Sequence, residues 1–213
     1  MDIENEYVLD VYDNIADHFS DTRFCTWDFV DKFINKRTPE ERGIEIGCGN
    51  GKNLCIREDL NIIGVDTCKK FIDICNEKGL RTFHQNCCKM AFSDNSFDYA
   101  MSIAVFHHMA SDTRRYKALK EMIRILKPGG RGVISVWALK QNDRNNNMKV
   151  RRFTPGDNYV SWRRKVDQKI FKRYYYIFDE TAFDAYLNLF SEKIAITKKF
   201  KTHGNWVATF IKK

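Results

Sequence analysis

The sequence predicts an α/β fold, in which a seven-stranded, mostly parallel sheet carries helices on both faces and ends in an antiparallel closing strand. Three observations support this prediction. Short apolar runs typical of buried strands alternate with segments of helical periodicity, and the first of these runs stops in a cluster of three glycines. The chain has 213 residues, of which 43% are hydrophobic, and this length suits one domain with a sizeable core.

The first half of the chain is predicted to alternate helices and strands. Apolar residues recur at helical spacing in three segments, 4–19, 26–36 and 69–78. A polar loop is expected at 20–23, after the first helix. Short runs of β-forming residues predict four strands, at 43–46, 62–66, 80–84 and 97–104.

The second half completes the alternation. Ser111 or Asp112 can cap a helix, which Pro128-Gly129-Gly130 ends, and a fifth strand is expected at 132–137. A basic stretch follows this strand. The last predicted elements are a helix at 180–190 and two strands at 193–200 and 206–211.

Positive charge is concentrated in the C-terminal third. The chain has a net charge of +8, and residues 140–213 carry 17 basic and 7 acidic side chains. Aromatic residues are interleaved with these cations, a mixture typical of surfaces that hold single-stranded nucleic acid or a loop. A solvated basic face is the alternative that composition leaves open.

Composition also disfavours several classes of protein. No apolar stretch approaches the ~18–20 residues that a membrane span needs, and residues 1–10 are acidic, unlike a secretion signal. The seven cysteines form neither a regular framework nor paired C-x-x-C motifs. This spacing indicates reduced thiols in a cytoplasmic or nuclear protein, without a structural metal.

The glycine cluster at 47–51 follows the first strand, where doubly wound sheets leave a crevice for ligands. Its spacing is G-x-G-x-G rather than the G-x-G-x-x-G of dinucleotide sites, and Glu45 would repel a pyrophosphate. The acidic loop better suits S-adenosylmethionine, which carries a sulfonium and an amino group. Asp66 ends the second strand, where its carboxylate can accept hydrogen bonds from both ribose hydroxyls.

Two levels of family resemblance follow from these motifs. Segment 45–51 resembles motif I of the class I, Rossmann-like S-adenosylmethionine-dependent methyltransferases, and 126–130 resembles the loop before their fifth strand. The string Ser102-Ile103-Ala104-Val105, followed by His107-His108, resembles the eukaryotic tRNA wobble-uridine methyltransferases. The likeness covers almost the whole chain except about 140–170 and includes segments 6–8, 11–12, 15–16, 18–20, 22–23, 137–139, 173–175 and 205–207.

The resemblance implies an enzyme that methylates the carboxylate of 5-carboxymethyluridine at the wobble position of tRNA, with S-adenosylmethionine as cofactor. It implies a single methyltransferase domain, 1–213, with four parts. These are an N-terminal helical cap (1–38), a cofactor-binding core (43–139), a basic aromatic RNA-binding insertion (140–176) and a closing helix and strands (177–213).

The resemblance also implies which side chains hold the cofactor. The predicted cofactor-binding residues are Tyr12, Glu45, Gly47, Cys48, Gly49, Asn50, Gly51, Asp66, Thr67, Asn86, Cys87, Ser102 and Ile103. Asn86 stands where the family commonly has an acidic residue that meets the adenine amino group. The amide oxygen of Asn86 can still accept that hydrogen bond.

Transfer to a carboxylate needs no general base, because the acceptor is already an anion, so positioning is the main task. Arg23 is the first candidate for holding the carboxylate, with a surface ion pair as the alternative. His107 and His108 can donate to the carboxylate or to the uracil, although one of them is expected to be structural. Trp137 is a candidate wall for the flipped base or a core residue. The predicted RNA contacts are Arg151, Arg152, Tyr159, Trp162, Arg163, Arg164, Lys165 and Arg173.

The family resemblance implies a sheet of order 3-2-1-4-5-7-6, in which the strand at 80–85 lies at an edge. It also implies a partner, a small zinc-binding activator protein that pairs with this edge to form a heterodimer. The predicted docking patch comprises Phe71, Ile74, Cys75 and Phe83; the alternative is an edge that nearby basic residues keep soluble. Two other functions stay open, a small-molecule methyltransferase and a catalytically silent RNA-binding scaffold.

Overall fold

The computed structural model describes residues 2–23, 25–141 and 151–213, without the side chains of Arg151 and Arg152. A π-type turn at Asn5–Leu9 leads into the first helix. The helices are α1 (Asp10–Thr22), α2 (Asp28–Ile34), α3 (Lys69–Glu77), α4 (Asp112–Ile125) and α5 (Glu180–Asn188). The strands are β1 (Arg42–Ile46), β2 (Asn61–Asp66), β3 (Thr82–His84), β4 (Phe97–Ile103), β5 (Leu126–Trp137), β6 (Lys140–Gln141), β7 (Arg151–Arg152), β8 (Gly156–Arg163), β9 (Ile170–Ile177), β10 (Ile194–Thr202) and β11 (Asn205–Lys212).

The main sheet has seven strands in the order β10-β11-β5-β4-β1-β2-β3. Strands β1 to β5 are parallel to one another, whereas β11 pairs antiparallel with both β5 and β10. The predicted strand order and fold class are therefore confirmed. The chain moves outward from β1 through β2 and β3 and then returns to β4 on the other side of β1. This reversal leaves a crevice at the carboxyl ends of β1 and β4.

Both faces of the sheet are covered, so its central strands are buried from end to end. On one face, Ile44 and Ile46 of β1 pack with the apolar side of α4. On the other face, Tyr99 and Met101 of β4 pack against α2. Strands that are buried on both faces have nearly continuous apolar sequences, and for this reason they could be predicted from the sequence. Within the described ranges, no helix is long and apolar enough to cross a membrane.

Two predicted boundaries are wrong. Helix α1 continues to Thr22 instead of ending before a loop at 20–23, and the hydroxyls of Ser20 and Thr22 donate to carbonyls one turn back along the helix. Pro128-Gly129-Gly130 lies inside β5, which starts directly after α4.

A Cβ at Gly132 would lie 2.1 Å from the Phe210 ring, so glycine there allows β11 to approach β5 closely.

The edge of the sheet at β3 also differs from the prediction. Phe71 and Cys75, which were assigned to an exposed docking patch, are buried, because they point from α3 towards α1 and the glycine loop. Ile74 is partly buried beside Phe71. Phe83 on β3 is 42% exposed. The exposed apolar part of the predicted patch is therefore centred on Phe83.

The basic aromatic stretch contains a β-hairpin, β8–β9, for which the sequence predicted no secondary structure. Its inner face is apolar or aromatic and includes Val160, Phe171 and Tyr175, all of them buried. Strand β9 packs against the 3-10 turn Phe106–His108 and against the N-terminal helical segment. The hairpin therefore covers the carboxyl ends of the central strands.

Candidate active site

A cavity of ≈ 1020 Å³ lies between the carboxyl ends of the parallel strands and the β8–β9 hairpin. Its wall is formed by α1, the loop after β1, the ends of β2, β4 and β5, and the two hairpin strands. It therefore occupies the crevice at which open α/β sheets bind ligands. Eleven of the predicted cofactor residues line it: Tyr12, Glu45, Gly47, Cys48, Gly49, Asn50, Asp66, Thr67, Asn86, Cys87 and Ile103.

Two predicted cofactor residues do not line the cavity. A Cβ at Gly51 would lie 2.4 Å from the Leu80 side chain, so this glycine lets the loop pack against the segment after α3. The hydroxyl of Ser102 donates to the Ile46 carbonyl at 3.2 Å and is buried between β4 and β1. Both residues thus support the loop from behind, and their assignment as cofactor contacts stays a prediction.

The glycine loop is held open by its backbone conformation and by Asp66. Gly49 has φ +53°, and no atom lies within 4 Å of the position that a Cβ would occupy. The carboxylate of Asp66 accepts hydrogen bonds from the amides of Gly49 and Cys68, each at 2.9 Å. Burial raises the pKa of Asp66 above its usual value, and these amides oppose that effect. Each carboxylate oxygen keeps a further lone pair for a ligand hydroxyl.

Glu45 provides a buried acceptor beneath the loop. It is 1% exposed, and its Oε1 accepts a hydrogen bond from Asn53 Nδ2 at 2.6 Å. Its Oε2 is buried and has no hydrogen-bond partner among the described residues. Burial raises the pKa of Glu45 to about 8. A carboxyl with a free oxygen at this position fits a ligand that carries a cationic amino group, as S-adenosylmethionine does, because a nearby positive charge favours the ionised form of Glu45.

This buried carboxyl should make stability depend on pH. We expect the ligand-free protein to lose roughly 3 kcal/mol of unfolding free energy between pH about 5 and 8, because the fold keeps the Glu45 proton there and the unfolded chain releases it. Glu45→Gln should flatten this dependence in urea unfolding series. Glu58→Gln, a change of an exposed glutamate, is the matched control. An unchanged slope in Glu45→Gln would contradict the assignment.

The two adjacent histidines have different hydrogen-bonding roles. His108 Nδ1 donates to the Tyr174 carbonyl at 2.9 Å, and its Nε2 accepts from the Tyr12 hydroxyl at 3.0 Å. His107 Nδ1 accepts from the backbone N–H of Trp137 at 3.1 Å, so the ring hydrogen of neutral His107 lies on Nε2. Burial lowers the pKa of His107 well below its usual range and that of His108 to about 3. Both rings are therefore neutral at physiological pH.

An aromatic wall surrounds these histidines. Tyr175 stacks on Trp137 with ring centroids 4.2 Å apart and on His107 at 4.9 Å. Trp137 is partly exposed and lines the cavity, so it belongs to the wall and not to the interior of the core. Tyr175 was missed as a site residue. Strand alternation on β9 places it on the same face as Arg173, but that signal requires the hairpin to be recognised first.

Arg173 is the most unusual charge in the cavity. It is 5% exposed, and its guanidinium carbon lies 4.8 Å from the Trp162 ring centroid and 5.2 Å from that of Tyr175. Its Nε has no hydrogen-bond partner, and no carboxylate of the described residues forms an ion pair with it. Arg173, predicted as a substrate or RNA contact, lies in the cavity wall beside the histidines. A buried guanidinium without an acid is costly unless a ligand supplies the anion.

A second arginine of the cavity wall, Arg23, lies beside the glycine loop. The backbone carbonyl of Arg23 accepts a hydrogen bond from Asn50 Nδ2 at 3.0 Å, and Asn50 belongs to that loop. Its guanidinium carbon is 5.4 Å from the Trp162 ring centroid and 5.6 Å from that of Phe19. Arg23 and Arg173 therefore both contact Trp162, and both line the cavity.

The other predicted RNA contacts divide into four groups. Trp162, Arg163 and Lys165 line the cavity or its mouth. Arg164 pairs with Asp167 and donates to a carbonyl of α1, so it anchors the hairpin, and its contact with RNA stays a prediction. Tyr159 lies outside the cavity and is 49% exposed. The side chains of Arg151 and Arg152 lie outside the described residues.

Comparison with known proteins identifies the domain type and the fold. Residues 44–134 match a family described as "Methyltransferase domain". Among solved structures, an S-adenosylmethionine-dependent methyltransferase from Clostridium acetobutylicum superposes with a TM-score of 0.66 and 17% identity, covering 94% of this chain and 98% of that one. A putative methyltransferase in complex with the Haloferax volcanii Trm112 methyltransferase activator gives a TM-score of 0.62 at 14% identity, covering 97% and 98%. At such identities these structures share the fold.

Sequence relatives are more specific. The tRNA (carboxymethyluridine(34)-5-O)-methyltransferase of Schizosaccharomyces pombe is 40% identical over 162 residues, covering 76% of this chain and 70% of the relative. The Xenopus tropicalis enzyme of the same name, alkbh8, is 31% identical over 96% of this chain, which spans 40% of that longer relative. The resemblance found in the sequence is thus confirmed, and the chain belongs to the tRNA (carboxymethyluridine(34)-5-O)-methyltransferase family.

Proposed function

We propose that this protein methylates the carboxylate of 5-carboxymethyluridine at the wobble position of tRNA and so forms the methyl ester. The observation that carries the proposal is Arg173, a buried guanidinium in the cavity wall with no acidic partner among the described residues. A carboxylate on the substrate would supply the missing anion. The family relationship supports the same substrate, because the relatives are named for this reaction.

S-adenosylmethionine is the cofactor that fits the other end of the cavity. Glu45, with its unpaired buried oxygen, suits the amino group, and Asp66 suits the ribose hydroxyls. The open backbone at Gly49 leaves space for a ligand to pass close to the loop. When bound, this cofactor supplies a methyl group made electrophilic by its sulfonium. Tyr12 and Asn86 complete the surroundings of this end.

The proposed methyl transfer requires no proton transfer by the protein. A carboxylate is an anion at neutral pH, and forming the ester moves no proton, so no general base is required. His107 and His108 are both neutral, which fits a reaction in which no histidine takes up or gives up a proton. Orientation and exclusion of water are the remaining tasks, and they can contribute several kcal/mol. Arg173 would orient the acceptor, while the Trp137 and Tyr175 rings exclude water.

The hairpin suits an RNA loop at the mouth of the cavity. Four of its basic side chains are exposed: Arg163, Lys165, Lys169 and Lys172. Such cations can contact phosphates while the target base enters between the aromatic rings. A tRNA substrate implies a cytoplasmic protein, with the nucleus as the alternative compartment. The seven cysteines are all free thiols, as expected of a reducing compartment.

Methylation of a defined RNA tests the proposal. The protein, with the activator described next, is incubated with S-adenosylmethionine and an anticodon stem-loop that carries 5-carboxymethyluridine, and the nucleosides are analysed by mass spectrometry. We expect the methyl ester, with a rate that falls steeply as salt is added. Absence of the ester, together with methylation of free small acids, would instead favour a small-molecule methyltransferase. Cofactor binding without any transfer would favour the RNA-binding scaffold.

We further propose that a small zinc-binding activator pairs with the edge strand β3. The structural neighbour from Haloferax volcanii, a methyltransferase in complex with an activator, supports this partner. Phe83→Asp should weaken co-purification with the activator by more than about tenfold, because it introduces a charge on the exposed patch. Ile196→Asp on β10, at the opposite edge, is the matched control, since Ile196 is 41% exposed and Phe83 is 42% exposed. Equal losses in both variants would contradict an interface at β3.

A further inference from the structure

Asn205 is another cavity-lining residue with a buried side-chain atom that has no partner among the described residues. Asn205 begins β11, is 1% exposed and lines the cavity. Its Nδ2 donates to the His203 carbonyl at 2.8 Å, and its Oδ1 is buried without a partner among the described residues. A carbonyl only accepts hydrogen bonds, so this contact fixes which atom is the nitrogen. The free acceptor of Asn205 therefore belongs to the cavity wall.

Asn205 is the first of three polar groups connected through Trp137 and Tyr175. Strand β11 pairs with β5 so that Asn205 lies opposite Trp137. The backbone N–H of Trp137 fixes the His107 tautomer, which leaves a ring N–H on Nε2. His107 stacks on Tyr175, over which the Arg173 guanidinium also lies. Asn205, His107 and Arg173 are thus linked through Trp137 and Tyr175, and between them they supply an acceptor, a donor and a cation.

The complementary groups occur together along one edge of the substrate base. In 5-carboxymethyluracil, N3–H is a donor, the adjacent O4 is an acceptor, and the carboxylate hangs from the next carbon, C5. Cytosine presents an acceptor at N3 and a donor at the neighbouring amino group, so both positions would oppose the wall. A site built to hydrogen-bond one pattern rejects the other strongly, because its own buried polar groups are left unpaired.

We propose that Asn205 Oδ1 accepts the N3–H of the flipped uracil, that His107 Nε2–H donates to O4, and that Arg173 binds the carboxylate. This inference rests on the proposed function. It adds a basis on which the enzyme selects the uracil ring in addition to the carboxylate. Asn205 then identifies the nucleobase, and His107 acts as a hydrogen-bond donor throughout the reaction.

The test removes the N3–H from the substrate and the acceptor from the protein, separately and together. The full chain with its activator methylates anticodon stem-loops that carry either 5-carboxymethyluridine or its N3-methyl derivative. For the unaltered protein we expect kcat/KM to fall about 100-fold on the N3-methyl RNA. Asn205→Ala should lose about 30-fold on the natural RNA and show little further loss on the N3-methyl RNA.

Controls separate the possible outcomes. Thr209→Ala, on the same strand but outside the cavity, should behave as the unaltered protein does with both RNAs. S-adenosylmethionine affinity within about twofold of the unaltered protein shows that Asn205→Ala is folded. If the two losses multiply, Asn205 does not read N3–H and the inference is overturned. If the unaltered protein forms no ester on either RNA, it is the proposed function that fails.

Discussion

Arg173→Met is expected to lower kcat/KM on RNA carrying 5-carboxymethyluridine by about 10²–10³-fold while leaving S-adenosylmethionine affinity within about twofold. The guanidinium is the buried cation beside the neutral histidines, so its removal takes away the partner of the substrate carboxylate. The cofactor contacts proposed for Glu45 and Asp66 are left unchanged. Steady-state methylation and calorimetric titration with the cofactor measure the two quantities.

Three comparisons sharpen this expectation. Methionine fills a similar volume without a buried charge, so Arg173→Met should unfold at the same temperature as the unaltered protein or a higher one. Arg173→Lys keeps the charge but not the planar fork and should lie between the two in rate. Arg23→Met tests the residue that the sequence favoured as the carboxylate clamp. If that variant loses turnover at normal cofactor affinity while Arg173→Met stays active, the clamp is Arg23.

Asp66→Ala is expected to weaken S-adenosylmethionine binding by about 2–3 kcal/mol, which is about 30- to 150-fold. Two effects add in this variant. The proposed hydrogen bonds to the ribose are lost, and the amides of Gly49 and Cys68 lose the carboxylate that accepts from them. Calorimetry on the folded variant measures the change.

Two further variants make the Asp66 result interpretable. Asp66→Asn keeps the shape and one acceptor oxygen, so it should retain part of the affinity. Asp59→Ala removes an exposed carboxylate that pairs with Arg57 and should leave binding unchanged. Normal affinity in Asp66→Ala would mean that the cofactor does not contact the end of β2.

The cofactor end of the cavity was largely predictable because its parts are local in the chain. Glu45, the glycines and Asp66 lie within 22 residues of one another, on two adjacent parallel strands and the loop between them. Strand ends and glycine spacing therefore fix their relative positions. Even here, packing decided details that spacing could not, since Gly51 supports the loop from behind and does not face the cavity.

The acceptor end was only partly predictable. The sequence identified His107, His108 and Trp137 as candidates, but the two histidines differ only through partners from other parts of the chain. Tyr12 and Tyr174 occupy both nitrogens of His108, whereas His107 keeps one ring N–H for the cavity. Such partners lie about 30 to 100 residues away along the chain, and no local pattern encodes them.

The amino-acid sequence by itself determined the fold class and the acidic glycine loop, because hydrophobic periodicity and short motifs act over neighbouring residues, and its family resemblance implied the strand order. Only the tertiary structure decided that Arg173 is a buried cation in the cavity wall, and that Asn205 keeps an acceptor without a partner among the described residues. Burial is the physical reason. The same charged or polar group is inexpensive in water but requires a partner once a hairpin and two strands enclose it.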